Sequence, residues 1–280
     1  MTRLLRYLAP NLVTSVGLLF GLLSMVATIE HRFVDAGWLI TGSVMLDRVD
    51  GFVARLLRAT SPFGIQMDSF ADAINFGVAP ALLVYVSLSS VPALGFDQGV
   101  GQVLLMIACA VWVLANVFRL AKFNVVAEEA APSVFFGVPT TLAAGLLVIW
   151  MLVLHKYSPP EALLGSPASF EGPRVFGGLT VGISAWSYLP AAMLLGAFLM
   201  ASNLPQPKLR PAKHKALTGL LALGAASGFL FAFIRFMPDY MALLPTSWTI
   251  GALLWSVFSP KARGFKTPSF LPSEPPGDRS

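Results

Sequence analysis

The chain has 280 residues, of which 56% are hydrophobic and only 12% charged, with a mean hydropathy of +0.73. A soluble domain carries about 25% charged residues, so this composition excludes an ordinary soluble enzyme and points to a polytopic helical membrane protein. The net charge of +5 does not indicate nucleic acid as a partner, because Lys and Arg collect in the cytoplasmic loops of such proteins.

Apolar runs predict eight spans, at roughly 11–29, 34–57, 67–90, 101–123, 139–156, 182–203, 214–236 and 241–258. The N-terminal stretch MTRLLRYLAPN has the charge of a signal sequence, but the run after it is long and lacks a small-residue cleavage site, so it reads as a retained first span. Span 1 begins after Pro10 and holds Gly17 and Gly21, four apart, a spacing that lets helices approach closely. Span 2 contains Asp47, Arg48, Asp50 and Arg55. The linker RATSPFG, with Pro62 and Gly64, then turns the chain back. Span 3 opens with MDSFADAINFG and meets a predicted kink at Pro80. Span 4 closes in FRLAKFN, where Arg119, Lys122 and Asn124 are expected at the membrane surface.

A segment with Glu128 and Glu129 leads to FFGVPTTLAAG, which opens span 5. A Pro/Gly/Ser-rich loop separates spans 5 and 6, and the basic stretch QPKLRPAKHK separates spans 6 and 7. Residues 1–260 read as one membrane domain, with its motifs at about 9–203 and extra helices at about 214–258; 261–280 reads as a disordered polar tail. The alternating strands of a membrane barrel are absent, and no internal repeat is visible. The fold class is therefore all-α. In this topology Arg32, Lys156, Arg174 and Arg235 are 4 of the 19 basic residues and fall on one side; the other 15 lie toward the side of both termini, which is therefore cytoplasmic. The lone Cys109 can form no intrachain disulfide.

Against this background the stretch DRVDGFVARLLRATSPFGIQMDSFAD stands out. It holds Asp47, Asp50, Asp68 and Asp72, and a carboxylate at bilayer depth costs roughly 2.5–3.5 kcal/mol. Helical spacing places Asp47 with Asp50 on one face, and Asp68 with Asp72 and Asn75 on another. Two helices meeting at the cytoplasmic end would then present paired carboxylates to one another. An all-oxygen cluster favours Mg²⁺ or Mn²⁺ over zinc, and two such ions suit an in-line displacement at phosphorus. Gly51 and Ala54 leave room for a ribose or phosphate, and Arg55 offers a phosphate contact. Solvated or Arg-paired aspartates, or an ion pathway, are the competing readings.

The pattern D-x2-D-G-x2-A-R-x8-G-x3-D-x3-D is filled at Asp47, Asp50, Gly51, Ala54, Arg55, Gly64, Asp68 and Asp72, and by it the chain resembles the CDP-alcohol phosphotransferase family. PNLVT, DSFADAINFGVAPAL, FRLAKFN and FFGVPTTLAAG extend the likeness, over about residues 9–145, to that family's integral-membrane, serine-accepting branch. The resemblance implies transfer of a phosphatidyl group from CDP-diacylglycerol to L-serine within the membrane, releasing CMP, with two divalent ions, Mg²⁺ or Mn²⁺, and commonly a homodimer. Asp47, Asp50, Asp68 and Asp72 would be metal ligands and Asp72 also the general base. Asp47, Gly51, Ala54, Arg55 and Gly64 would form the nucleotide site. Arg119, Lys122, Asn124 and Asn75 are candidates for the acceptor headgroup, with Asn11 and Thr14 near it. The chain reads RLAKFN where that branch usually has RLARFN, which keeps charge at Lys122 but loses a bidentate fork. A sibling accepting glycerol 3-phosphate or an inositol phosphate is the enzymatic alternative, and a transporter is the alternative of another class.

Overall fold

The computed structural model describes residues 3–57, 61–126, 134–159, 170, 172–208 and 215–265. Arg58, Glu128, Glu129, most of the basic loop and the tail from 266 onward lie outside the described residues. Helices α1 (Arg3–Ile29) and α2 (Phe33–Leu57) form an antiparallel pair. Helix α3 (Pro62–Asp72) runs through a π-helical turn (Ala73–Val78) into α4 (Ala79–Ser89). Then follow α5 (Gly99–Val126), α6 (Thr140–Tyr157), α7 (Leu189–Ala201), α8 (Lys215–Phe233), α9 (Pro238–Phe258) and a final turn α10 (Pro260–Arg263).

A helix underlies each of the eight expected spans. Six are long and apolar enough to cross a membrane: Leu8–Ile29, Pro62–Ser89, Gly99–Val125, Thr140–Tyr157, Ile183–Ala201 and Pro238–Phe258. Helix α2 is excepted because it carries Asp35, Asp47, Arg48, Asp50 and Arg55, and the apolar part of α8 is the shorter Ala222–Phe233. This is a multi-pass membrane protein. One element is not helical: strands β1 (Val134–Phe136) and β2 (Pro205–Pro207) pair antiparallel, Phe135 opposite Gln206, and tie the chain before α6 to the chain after α7.

Two expectations about local structure change. Pro62 and Gly64 are the first turn of α3 rather than a linker, because Ser61 caps the helix: its Oγ accepts from the Gly64 N–H at 3.0 Å, and Pro62 sits at the start, where its missing N–H costs nothing. Nor does Pro80 simply kink a helix. It has no N–H for the Phe76 carbonyl, the backbone takes a π turn just before it, and that carbonyl instead accepts from the Trp112 indole of α5 at 3.0 Å.

Glycines bring the helices close. A Cβ on Gly37 of α2 would come within 2.9 Å of Leu152 of α6, and one on Gly42 within 2.8 Å of Phe20 of α1. Gly21 makes room for something more particular, the side chain of Asn75, into which its Cβ would collide. The main core gathers Ile40, Phe76, Leu83, Trp112, Val148 and Met193 from six helices. A second cluster, with Trp38, Leu152, Tyr157 and Ala242, joins α9 to α2 and α6.

At the end of α6 away from the carboxylates, Lys156 and Asp239 form a buried salt bridge at 2.9 Å, exposed by only 2% and 0%. Asp239 also accepts from the Tyr157 hydroxyl at 2.6 Å and the Val175 N–H at 2.8 Å, while Lys156 donates to the Pro173 carbonyl at 2.8 Å. This clasp fixes α9 and the 172–181 segment on α6. Removing one buried partner leaves an uncompensated charge, at a cost of about 3–5 kcal/mol. Asp239→Ala is therefore expected to lower the unfolding temperature in detergent sharply, and the apolar pair Lys156→Met with Asp239→Leu to recover most of it; equal losses in both proteins would refute the electrostatic account.

Candidate active site

The aspartates of α2 and α3 come together as the spacing predicts. One carboxylate oxygen each from Asp47, Asp50 and Asp68 lie within 4.8 Å of one another. Asp72 lies against Asp47, one turn further along α3, and Asp47 also meets the Thr141 hydroxyl at the start of α6. Thr14 and Gly17 of α1, Ser43 of α2, Ala71 of α3 and Asn75 of the π turn complete the pocket. Among the described residues none of the four aspartates forms a salt bridge, so pairing with Arg48 or Arg55 does not explain them. What fixes Asp50 is a neutral donor: Thr14 Oγ1 donates to Asp50 Oδ2 at 2.8 Å.

The π turn presents Asn75 to this pocket. A π turn inserts an extra residue into the helical register and shifts the faces that follow. Asn75 is 3% exposed, its amide rests beside Gly17 and Gly21, and its Oδ1 has no hydrogen-bond partner. A buried carbonyl left unpaired costs on the order of 1–3 kcal/mol, so its natural place is beside a ligand.

The remaining candidates divide. Gly51 and Ala54 are half-buried on α2 beyond Asp50. A Cβ on Gly51 would meet only Arg55 Nη1, at 3.8 Å, so space is open there; Arg55 itself is exposed. Gly64 lets Asn11 of α1 approach the first turn of α3, where a Cβ would stand 3.2 Å from Asn11 Oδ1. Arg119 does not reach a surface. It is 8% exposed, its Nε is unpartnered, its guanidinium lies over the Phe123 ring at 5.9 Å, and it feels the charge of Asp72. Lys122 turns away to hydrogen-bond the Asn203 side chain, and Asn124 donates to Ser69 Oγ at 2.9 Å, beside Asp68.

Three residues escaped the sequence reading. Ser43 precedes Asp47 by one helical turn, so extending that face would have found it. Thr141 lies within a quoted motif, but nothing in its spacing ties it to Asp47. Asn116, three residues before Arg119, is fully buried with both amide atoms unpartnered against Gly77.

The donor set is all oxygen, with no His or Cys within the group, and it fits hard divalent cations such as Mg²⁺ or Mn²⁺. The fold and site thus define a multi-pass membrane protein with a metal-capable carboxylate centre enclosed by its first three helices. The CDP-alcohol phosphatidyltransferase family model matches residues 7–186. The chain belongs to this family. It is 40% identical over 152 residues to the CDP-diacylglycerol–serine O-phosphatidyltransferase of Helicobacter pylori (strain ATCC 700392 / 26695), covering 54% of this chain and 60% of that protein. It is 35% identical over 159 residues to the Bacillus subtilis (strain 168) protein of that name, covering 56% and 81%. It is 31% identical over 145 residues to that of Methanocaldococcus jannaschii, covering 52% and 61%. The match thus spans about three-fifths of the first and third of these relatives.

Mn²⁺ binding, read by paramagnetic resonance on the purified protein, is expected to weaken about 10–100-fold in Asp68→Asn, the range seen when metal sites are disturbed. Thr14→Val should weaken it less, with Thr14→Ser restoring wild-type affinity. Unchanged affinity in Asp68→Asn would refute the assignment of the cluster as a metal centre.

Proposed function

We propose that the chain is a phosphatidyltransferase that moves the phosphatidyl group of CDP-diacylglycerol to L-serine, giving phosphatidylserine and CMP, from a site open to the cytoplasm. The observation that carries this reading is the division of labour among the acids. Three carboxylates converge, while the fourth, Asp72, lies beside them within reach of the charge of the buried Arg119. Family membership and the names of the relatives support the same reaction.

Asp47, Asp50 and Asp68, with Asp72 at the edge, would hold two divalent cations, which when bound would neutralise the pyrophosphate and stabilise the entering and leaving oxygens of the displacement. The protein's own groups do the rest. Gly51 and Ala54 leave the flank of α2 open for the nucleotide, with Arg55 folded beside it as a phosphate contact and Gly64 at the start of α3. Arg119 takes the serine carboxylate and so aims the hydroxyl toward Asp72. Asp72 accepts the hydroxyl proton as the serine oxygen bonds to the lipid-bearing phosphorus, and the bond from that phosphorus to the CMP oxygen breaks. Acid–base help of this kind contributes about 10²–10⁴-fold. Asn75 offers an acceptor to the serine ammonium or to a bound water. Asn124 acts through Ser69 to hold α3. Lys122, turned to Asn203, stands outside this recognition.

A phosphorylated acceptor would need several cations near Asp72. Among the described residues Arg119 is the buried one there, which favours an acceptor bearing one carboxylate. With purified protein, CDP-diacylglycerol, Mn²⁺ and labelled serine, phosphatidylserine and CMP are the expected products; product from glycerol 3-phosphate but not from serine would overturn the acceptor, and solute transport without CMP release would overturn the enzyme. Asp72→Asn should abolish turnover, by at least about 10²-fold, without loss of Mn²⁺-dependent folding stability. Arg119→Gln should raise the KM for serine far more than that for CDP-diacylglycerol, and equal changes in both would refute its role at the carboxylate.

A further inference from the structure

A groove of about 400 Å³ runs along the outer face between α5 and α7. Its floor is the small residues Ala115, Ala197 and Ala201, and Leu114, Phe118 and Phe198 rise beside them as exposed walls. The groove follows from the packing behind it. Gly196 lets α7 close on α5, where a Cβ would stand 2.6 Å from the Trp112 ring, while the alanines leave the outer seam unfilled. Both helices are long and apolar enough to cross a membrane, so this face meets hydrocarbon.

One end of the groove is polar. One turn past Phe118 on α5, Lys122 donates to the side chain of Asn203, two residues past Ala201. Asn203 holds the ammonium without neutralising it. Among the described residues Lys122 has no salt-bridge partner, and the charge it feels is that of Arg119, of like sign. An uncompensated cation at the end of an apolar, bilayer-facing channel is complementary to a molecule with an acyl chain and an anionic head.

We propose that this groove binds one anionic phospholipid of the surrounding bilayer, with an acyl chain along Ala115, Ala197 and Ala201 and its phosphate at Lys122 and Asn203. The occupant is a bilayer lipid rather than the donor, because the groove shares no lining residue with the carboxylate pocket, which α1, α2, α3 and the π turn enclose. The site would couple membrane composition to the packing of α5, the helix that carries Arg119. It also gives Lys122 a use that the reaction leaves open, and the proposal stands whether or not serine is the acceptor.

Native mass spectrometry of the detergent-purified protein, titrated with phosphatidylglycerol or phosphatidylcholine of the same chain length, tests this. One phosphatidylglycerol per chain should be retained in preference to phosphatidylcholine by about fivefold, the effect of one cation near a membrane surface. Lys122→Gln should erase the preference and Lys122→Arg keep it. Ala201→Phe, which fills the floor near the mouth, should lower retention of both lipids. Equal retention of the two lipids by the wild type, or the same preference in Lys122→Gln, would overturn the proposal. Stoichiometric displacement by CDP-diacylglycerol would make the groove the donor's own track, and a two-chain species lost in Ala201→Phe would make it a protein interface; either result also overturns it.

Discussion

Carboxylates repel one another, and the site is built around holding them together despite that. Three aspartate oxygens lie within 4.8 Å of each other. At an effective dielectric of about 20, each such pair repels by roughly 3 kcal/mol. No basic side chain among the described residues pairs with them, and the support they do have is neutral: Thr14 donating to Asp50, and Thr141 meeting Asp47. Neutral donors orient a carboxylate without discharging it, so its attraction for cations remains. Folding here is organised to keep a charge deficit open rather than to close it.

That requirement reaches into the backbone. Asp47 and Asp50 project from α2 toward Asp68 and Asp72 on α3, and the two helices can meet only because Ser61 restarts the helix cleanly after α2. Beyond Asp72 an uninterrupted α-helix would carry Asn75 through the same angle at every turn. The π turn resets that angle, so Asn75 enters the pocket between Gly17 and Gly21 while Phe76 and Gly77 face α5. Trp112 holds the reset in place by taking the carbonyl that Pro80 cannot serve. One missing N–H, at Pro80, thus sets the side on which α5 packs, and with it the place of Arg119.

The aspartates were legible in the sequence because period and composition coincide there: an expensive charge recurs at helical spacing inside an oily run, and few arrangements permit that. The helices were legible for the same reason, since hydropathy reports length directly. Spacing gave no account of the surroundings. Arg119 and Lys122 are three apart and read as one pair, yet Arg119 is buried toward Asp72 and Lys122 turns to Asn203. Which of two neighbouring cations points inward depends on the helix packed beside them, and α7 lies some eighty residues later in the chain. The short β1–β2 pairing is equally non-local, and two three-residue segments with Pro at both ends of one carry no periodic signal. The π turn was half visible, since Pro80 announced a disturbance and only the tertiary partner Trp112 decided its form.

The opposite end of the molecule offers an internal comparison. Asp239 is as buried as any aspartate in the site, and there the chain satisfies it fully: Lys156 neutralises it, and the Tyr157 hydroxyl and the Val175 N–H fill its other lone pairs. That is how this protein treats a buried acid whose task is structural, and the cost of desolvation is offset within the fold. In the carboxylate pocket it supplies one threonine where it could have supplied an arginine. Arg119, close enough to feel Asp72, is kept from pairing with it, and its Nε is left with no partner. The same chain thus compensates one buried acid completely and leaves four others, and a neighbouring cation, open. Desolvation penalties make such incompleteness unstable unless something outside the chain completes it. Divalent cations at the acids and a carboxylate at the arginine are the two completions that the donor sets describe.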